Sequence, residues 1–416
     1  MNSKKVIMVM ILMALMVLVS LPIAPVAAWT YPDLSEDTVY EKFGPRVDRI
    51  YIRLFESESA EWDALKAGEI DITDWPLSKA YLDEFTSPPY NESINVQYYG
   101  AELGYFVIDI NNDNSPEKAP GYPNPVYKKN PAGWDQQNGL YKDTATEFRK
   151  ALWRVLDREY VITEIWKGLG YPMTTLMIPP HGDYLHPDAY KPVEEGGLYW
   201  GPDCENATAI LDAAGFVDTD GDGWRNFPEE LGGDGENIVL IFYIREDHEE
   251  RRLMGLKYAE WVENCLHIQV DERVKDRRTC FYEVMVYKNF HLYTGGWGLG
   301  RDPDHVVLYQ SYYYWHPGFC YNYDRVNDTT FDEYVDNMIF ANNRDEAVYW
   351  AHKCQEYFNR HVFGALFAVC TAGYKAWYRT YTGGTAGSPV SPDDGENQYR
   401  GLNWTHLVNV GAYGID

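Results

Sequence analysis

Residues 147–170, EFRKALWRVLDREYVITEIWKGLG, place Phe148, Ala151, Leu152, Val155 and Leu156 at i, i+3, i+4, i+7 and i+8. That spacing puts all five on one stripe of a helix, and a stripe this wide must bury against a sheet or another helix. Thr144 stands where an N-cap belongs, because its hydroxyl can accept one of the unpaired amide protons of the first turn. A second helix over 160–167 ends at Gly168, which suits the left-handed conformation that closes a helix.

Reading outward from this pair, strands and helices alternate. On the N-terminal side, 47–55 (VDRIYIRLF) alternates apolar and polar residues as a half-buried strand does. A short helix follows, capped by Ser57 or Ser59, with Trp62, Ala64 and Leu65 on its apolar side and Gly68 at its end. Ile70 to Ile72 reads as the next strand and 104–110 (GYFVIDI) as a third. The Asn-, Pro- and Gly-rich residues 111–141 read as a long surface excursion. On the C-terminal side, 204–214 is helical, ending at Gly215, and 238–244 (IVLIFYI) is a strand. A helix near 247–265 turns Leu256, Ala259, Val262 and Leu266 inward, 267–270 is a strand, and two helices occupy about 330–341 and 344–359. The alternation predicts a mixed α/β sheet, with a lobe boundary near residue 236.

The chain opens with Lys4 and Lys5, fourteen apolar residues over 6–19, and the small residues Val26, Ala27 and Ala28. This is the pattern of a secretory signal cleaved after Ala28, and the apolar run is shorter than a spanning helix requires. Cleavage leaves 388 of the 416 residues, more than one compact core usually supports, so two lobes are expected. Loss of the two lysines takes the net charge from −27 to −29, which repels nucleic acid and anionic lipid and argues against a nucleic-acid function. Cys204, Cys265, Cys280, Cys320, Cys354 and Cys370 form an even set in an exported chain, compatible with any of 15 pairings or with buried free thiols. No pair has the CxxC spacing of a zinc or redox site. Asn91, Asn206, Asn327 and Asn403 head candidate glycosylation sequons.

Five segments resemble, in order, the family-5 extracytoplasmic solute-binding proteins that serve ABC importers of peptides, oligosaccharides and metal complexes. They are 60–74 (AEWDALKAGEIDITD); 147–170, with the Met177-Ile-Pro-Pro turn behind it; 207–223 (ATAILDAAGFVDTDGDG); 294–304 (TGGWGLGRDPD); and the helices of 330–358. The resemblance implies an α/β, two-lobed, periplasmic-binding-protein-like (type II) fold with a ligand cleft between the lobes. Residues 29–236 would form lobe 1, 237–372 lobe 2, and 373–416 a segment returning toward lobe 1. It further implies capture of a peptide or oligosaccharide at the cell surface and delivery to permease subunits, with membrane contact only through the permease or a separate anchor. Family members usually carry a longer N-terminal region and continue past the position of Asp416, so a truncated chain, or a piece of a longer anchored protein, is expected.

In peptide-binding relatives an acidic residue between the Gly-Trp and the Asp-Pro of the fourth segment pairs with the ligand's α-ammonium. Those positions here are Gly298, Leu299, Gly300 and Arg301, so Asp302 or Asp304 would have to substitute. Trp297, flanked by glycines, offers an indole face for a sugar ring or fills the core, and Tyr312 and Tyr313 add amphipathic rings to the candidate ligand set. Asp218-Thr-Asp220-Gly-Asp222-Gly223, with the Trp224 carbonyl and Glu229 at the twelfth position, matches the pattern of an oxygen-rich calcium loop. A structural Ca²⁺ is the only cofactor suggested, and none is required. HExxH, GxSxG and Cys/His hydrolase signatures are absent, so catalysis is not expected. The rival reading is a structural surface-layer glycoprotein, which acidity and sequons suit equally well but which has no reason to carry the five ordered motifs.

Overall fold

A computed structural model describes residues 51–114, 130–136, 138–311 and 321–378. The secretory signal, the first part of the 47–55 segment, Tyr312, Tyr313, Cys320, Asn403 and the return segment beyond 378 lie outside the described residues.

Among the described residues the elements run α1 (Glu58–Lys66), α2 (Lys79–Phe85), β1 (Ile94–Ala101), β2 (Gly104–Ile110), α3 (Lys142–Trp153), β3 (Gly170–Pro172), α4 (Cys204–Ala214), β4 (Val239–Arg245), α5 (Glu249–Leu266), β5 (Gln269–Lys275), β6 (Leu292–Gly298), α6 (Thr329–Ile339), α7 (Arg344–Tyr357) and β7 (Ala365–Tyr378). The strands make one sheet in the order β1-β7-β2-β6-β4-β5, with β3 beside β7. β4 pairs in parallel with both β5 and β6, and the remaining pairs are antiparallel. The fold is therefore mixed α/β, with a β4–α5–β5 crossover closing one end of the sheet. Residue 236 does not separate two sheets here: β2, before it, pairs with β6, after it, along their whole lengths.

The stripe of 147–170 is buried as its spacing demands: Phe148, Ala151, Leu152, Val155 and Leu156 are all in the main core, together with Met254, Tyr258 and Val262 of α5. A second, smaller core joins Trp62 and Leu65 of α1 to Leu77, Phe85, Ile94 and Ala376. Among the described residues one disulfide, Cys204–Cys265, ties the start of α4 to the end of α5, while Cys280, Cys354 and Cys370 are buried free thiols. Both sequence readings of the cysteines thus hold in part.

Several expectations need correction. Residues 51–55 form no strand and Tyr51, Ile52 and Leu54 are exposed; alternation alone cannot make a strand without a neighbour to take its backbone hydrogen bonds. The strand expected at 70–72 is a single bridge, with Thr73 donating to the Ala376 carbonyl. Helix α3 starts two residues before Thr144, from Tyr141 in the left-handed region (φ 66°) and without a side-chain cap. The start of the 111–141 excursion is buried rather than superficial. The Asn112 amide donates to the Ile110, Asp324 and Gly364 carbonyls, Asn130 to those of Asn111 and Asp113, and Arg325 makes a fully buried ion pair with Asp113 at 3.0 Å. Asparagine side chains here substitute for missing strand partners, which a composition-based reading of loops does not foresee.

Candidate functional site

The β2–β6 register sets Tyr105 opposite Trp297, Val107 opposite Gly295 and Asp109 opposite Tyr293, so these six share one face of the sheet. Gly295 is required there, since a Cβ would fall 1.8 Å from Asp109 Oδ2. Asp109 is fully buried; the Tyr323 hydroxyl donates to its Oδ2 at 2.7 Å, and its Oδ1 has no hydrogen-bond partner among the described residues. Burial pushes this carboxyl up to about 7, against the opposing pull of the Tyr323 hydrogen bond and the Arg251 charge.

Tyr323 also supports Trp297 from within, the two rings being stacked at 5.9 Å and 25°. Trp297 is only half-buried and has Tyr321, 46% exposed, at its other side with centroids 6.1 Å apart. Trp297 is thus packed on Tyr323 on one side and partly open. Asp302 and Asp304 are exposed and flank Pro303, the first residue of a short helical turn, Pro303–Tyr309. Their shared neighbour is His181, whose Nε2 lies 3.3 Å from the Gly300 carbonyl and whose ring stacks on that of His305. Burial depresses His181 against the opposing pull of the Gly300 carbonyl and the two aspartates, and takes His305 down to about 3.

The calcium-type loop folds on itself. Asp218 accepts from the Gly221 and Gly223 amides, and Asp222 from Trp224 N–H and the Asn237 side chain. Asp218, Asp220 and Asp222 converge to within 4.8 Å, whereas Glu229 begins a separate helical turn and is not among them.

A further cluster was not legible in the sequence. His248, the residue before α5, has Nε2 3.3 Å from Glu58 Oε1 and Nδ1 3.3 Å from Glu250 Oε2. These three side chains, with Trp62, Leu77 and Trp166, line a pocket where the small core meets the large one. Phe106 of β2 closes it edge-on against the His248 ring, centroids 4.7 Å apart. Burial raises the Glu58 carboxyl to about 7, with His248 opposing and Glu250, Glu61 and Asp247 reinforcing. Glu58 and His248 are distant in the chain, and no motif links them.

Residues 34–318 match the bacterial extracellular solute-binding proteins, family 5. Among curated proteins, the periplasmic alpha-galactoside-binding protein of Rhizobium meliloti (strain 1021) is 33% identical over 107 residues, 26% of this chain and 14% of that protein. Among solved structures, the oligopeptide-binding protein AppA of Bacillus subtilis, in complex with a nonapeptide, is similar with a TM-score of 0.57 at 18% identity, over 78% of this chain and 55% of its own. The mannohexaose-bound periplasmic oligopeptide-binding protein of Thermotoga maritima gives 0.58 at 17% identity, over 77% and 54%. The chain spans about half the length of these solved relatives, which share its fold. With more than half of its residues matched, the chain belongs to the family-5 extracellular solute-binding proteins.

Proposed function

We propose that this protein is the extracytoplasmic receptor of an ABC importer, capturing a peptide or oligosaccharide and passing it to membrane permease subunits without chemical change. The observation that carries this reading is the family match over residues 34–318, joined to relatives that hold a nonapeptide and mannohexaose. The half-open Trp297, backed by Tyr323 and flanked by Tyr321, supports it physically: a rigid aromatic ledge binds a sugar face or an apolar side chain at small entropic cost. Export is supported by the apolar N-terminal segment and by the Cys204–Cys265 bridge, which an oxidising compartment preserves. Among the described residues no helix is long and apolar enough to cross a membrane. The Asp218–Asp222 loop is assigned a structural Ca²⁺, held by three carboxylates on a turn already closed by backbone amides. A coat role has no counterpart in the matches above.

The reading is tested by a thermal-shift screen of the full chain against pooled peptides and pooled oligosaccharides. Ligand at about 100 times its Kd adds about 2.7 kcal/mol, a shift of several degrees. A rise confined to one class supports the receptor and names its ligand. No rise with either class removes the assignment.

A further inference from the structure

The pocket at Glu58, His248 and Glu250 has a proton shortage. A neutral imidazole offers one N–H, yet both of its nitrogens face a carboxylate oxygen at 3.3 Å, and Nδ1 also accepts from the Arg251 amide, N to N 3.3 Å. In either neutral tautomer one carboxylate lies against a nitrogen lone pair. If the ring is protonated, the Arg251 amide at the start of α5 loses its acceptor, and with both glutamates ionised the triad still carries a net negative charge. Among the described residues no lysine or arginine forms an ion pair with Glu58 or Glu250, whose ion-pair partner is His248. Glu61 and Asp247 add negative potential, Lys79 on the pocket rim is paired with Asp83, and Arg245 is paired with Asp247. The three side chains are only 12–17% exposed and share the pocket with Trp62, Leu77 and Trp166, so two ionised carboxylates there are costly. One donor atom from each residue lies within 4.8 Å of the others, and the adjoining cavity, about 20 Å³, has room for a bare cation or one water.

We propose that Glu58, His248 and Glu250 bind a divalent transition-metal ion, with Zn²⁺ as the representative probe. One imidazole and two carboxylates form the mixed N/O set that such ions take, whereas Ca²⁺ and Mg²⁺ prefer oxygen alone. The ion takes one ring nitrogen, and because Glu58 and Glu250 approach different nitrogens, one glutamate must swing toward the other for all three donors to reach bond lengths of about 2.0–2.2 Å. Because Glu58 belongs to α1 and the other two to the start of α5, the ion clips the small core to the large one. This assignment does not depend on the receptor reading or on its ligand.

The test is calorimetric titration of chelator-treated full chain with Zn²⁺, for wild type, Glu58→Gln, Glu250→Gln and His248→Asn, the last keeping a side chain able to cap α5. The expected result is one site per chain whose affinity falls more than about tenfold in each variant, with a Zn²⁺-dependent rise in Tm lost alongside it. A control, Asp220→Asn with Asp222→Asn, retains the site and excludes the acidic loop as its source. Absence of stoichiometric binding in wild type, or binding unchanged in Glu58→Gln and Glu250→Gln, overturns the proposal.

Discussion

Replacing Asp109 with Asn isolates the electrostatic cost of the buried acid that accepts from Tyr323. Burial pushes the native carboxyl up to about 7 from the ordinary aspartate value of 3.8. A raised folded value means the native state holds its proton more tightly than the unfolded chain, so this contribution to stability is fully present below about pH 4 and is lost as pH rises through 7. Integrating the linkage between about pH 4.5 and 7.5 gives a loss on the order of 3 kcal/mol from this one group. Asn keeps an oxygen to accept from Tyr323 but does not titrate, so the variant lacks this part of the slope while sharing the rest. The assay is urea unfolding of both proteins across that range, and the quantity read is the difference between their pH profiles, in which common groups cancel. Wild type should lose about 3 kcal/mol more than the variant. Parallel profiles would refute the reasoning and show that Asp109 stays ionised, neutralised by Arg251.

Cys204→Ser opens a bridge between residues 61 apart in sequence and should cost about 2–4 kcal/mol in chemical unfolding; no change in midpoint would show that the bridge does not form. Asp113→Asn leaves Arg325 buried without its full counter-charge and should destabilise by about 3–5 kcal/mol, and a cost below 1 kcal/mol would show the pair to be solvated. Asp220→Asn with Asp222→Asn should lower Tm only when Ca²⁺ is present, and an equal effect with chelator would remove the metal from that loop.

Helices with complete local punctuation were legible in the sequence. Helix α4 has Asp203 accepting from Asn206 N–H at its start and Gly215 at φ 93° at its end, and it occupies the span that its apolar spacing marks. Strand β2 likewise coincides with the apolar run of 104–110. Legibility fails where a residue's partner is remote. Thr144 has the chemistry of a cap, but the chain enters α3 through Tyr141. Asn111, Asn112 and Asn130 have the composition of a loop, yet they fill a buried junction by bonding backbone from Lys288, Phe290, Asp324 and Gly364. Trp297 was found because glycines isolate it. Asp109, bonded to the Tyr323 that stacks on Trp297, was hidden in an apolar run, and the Glu58–His248–Glu250 group exists only once α1 is folded against α5.

The most direct test of the receptor reading is a calorimetric titration of the full chain with the ligand class that raises its Tm, run beside Trp297→Ala. The account predicts one saturable site in the wild type and at least about a tenfold weaker one in the variant, equivalent to 1.4 kcal/mol or more of binding energy, with the fold retained. Equal affinity in a folded variant would take Trp297 out of the site, and no saturable binding of either class to the wild type would contradict the account itself.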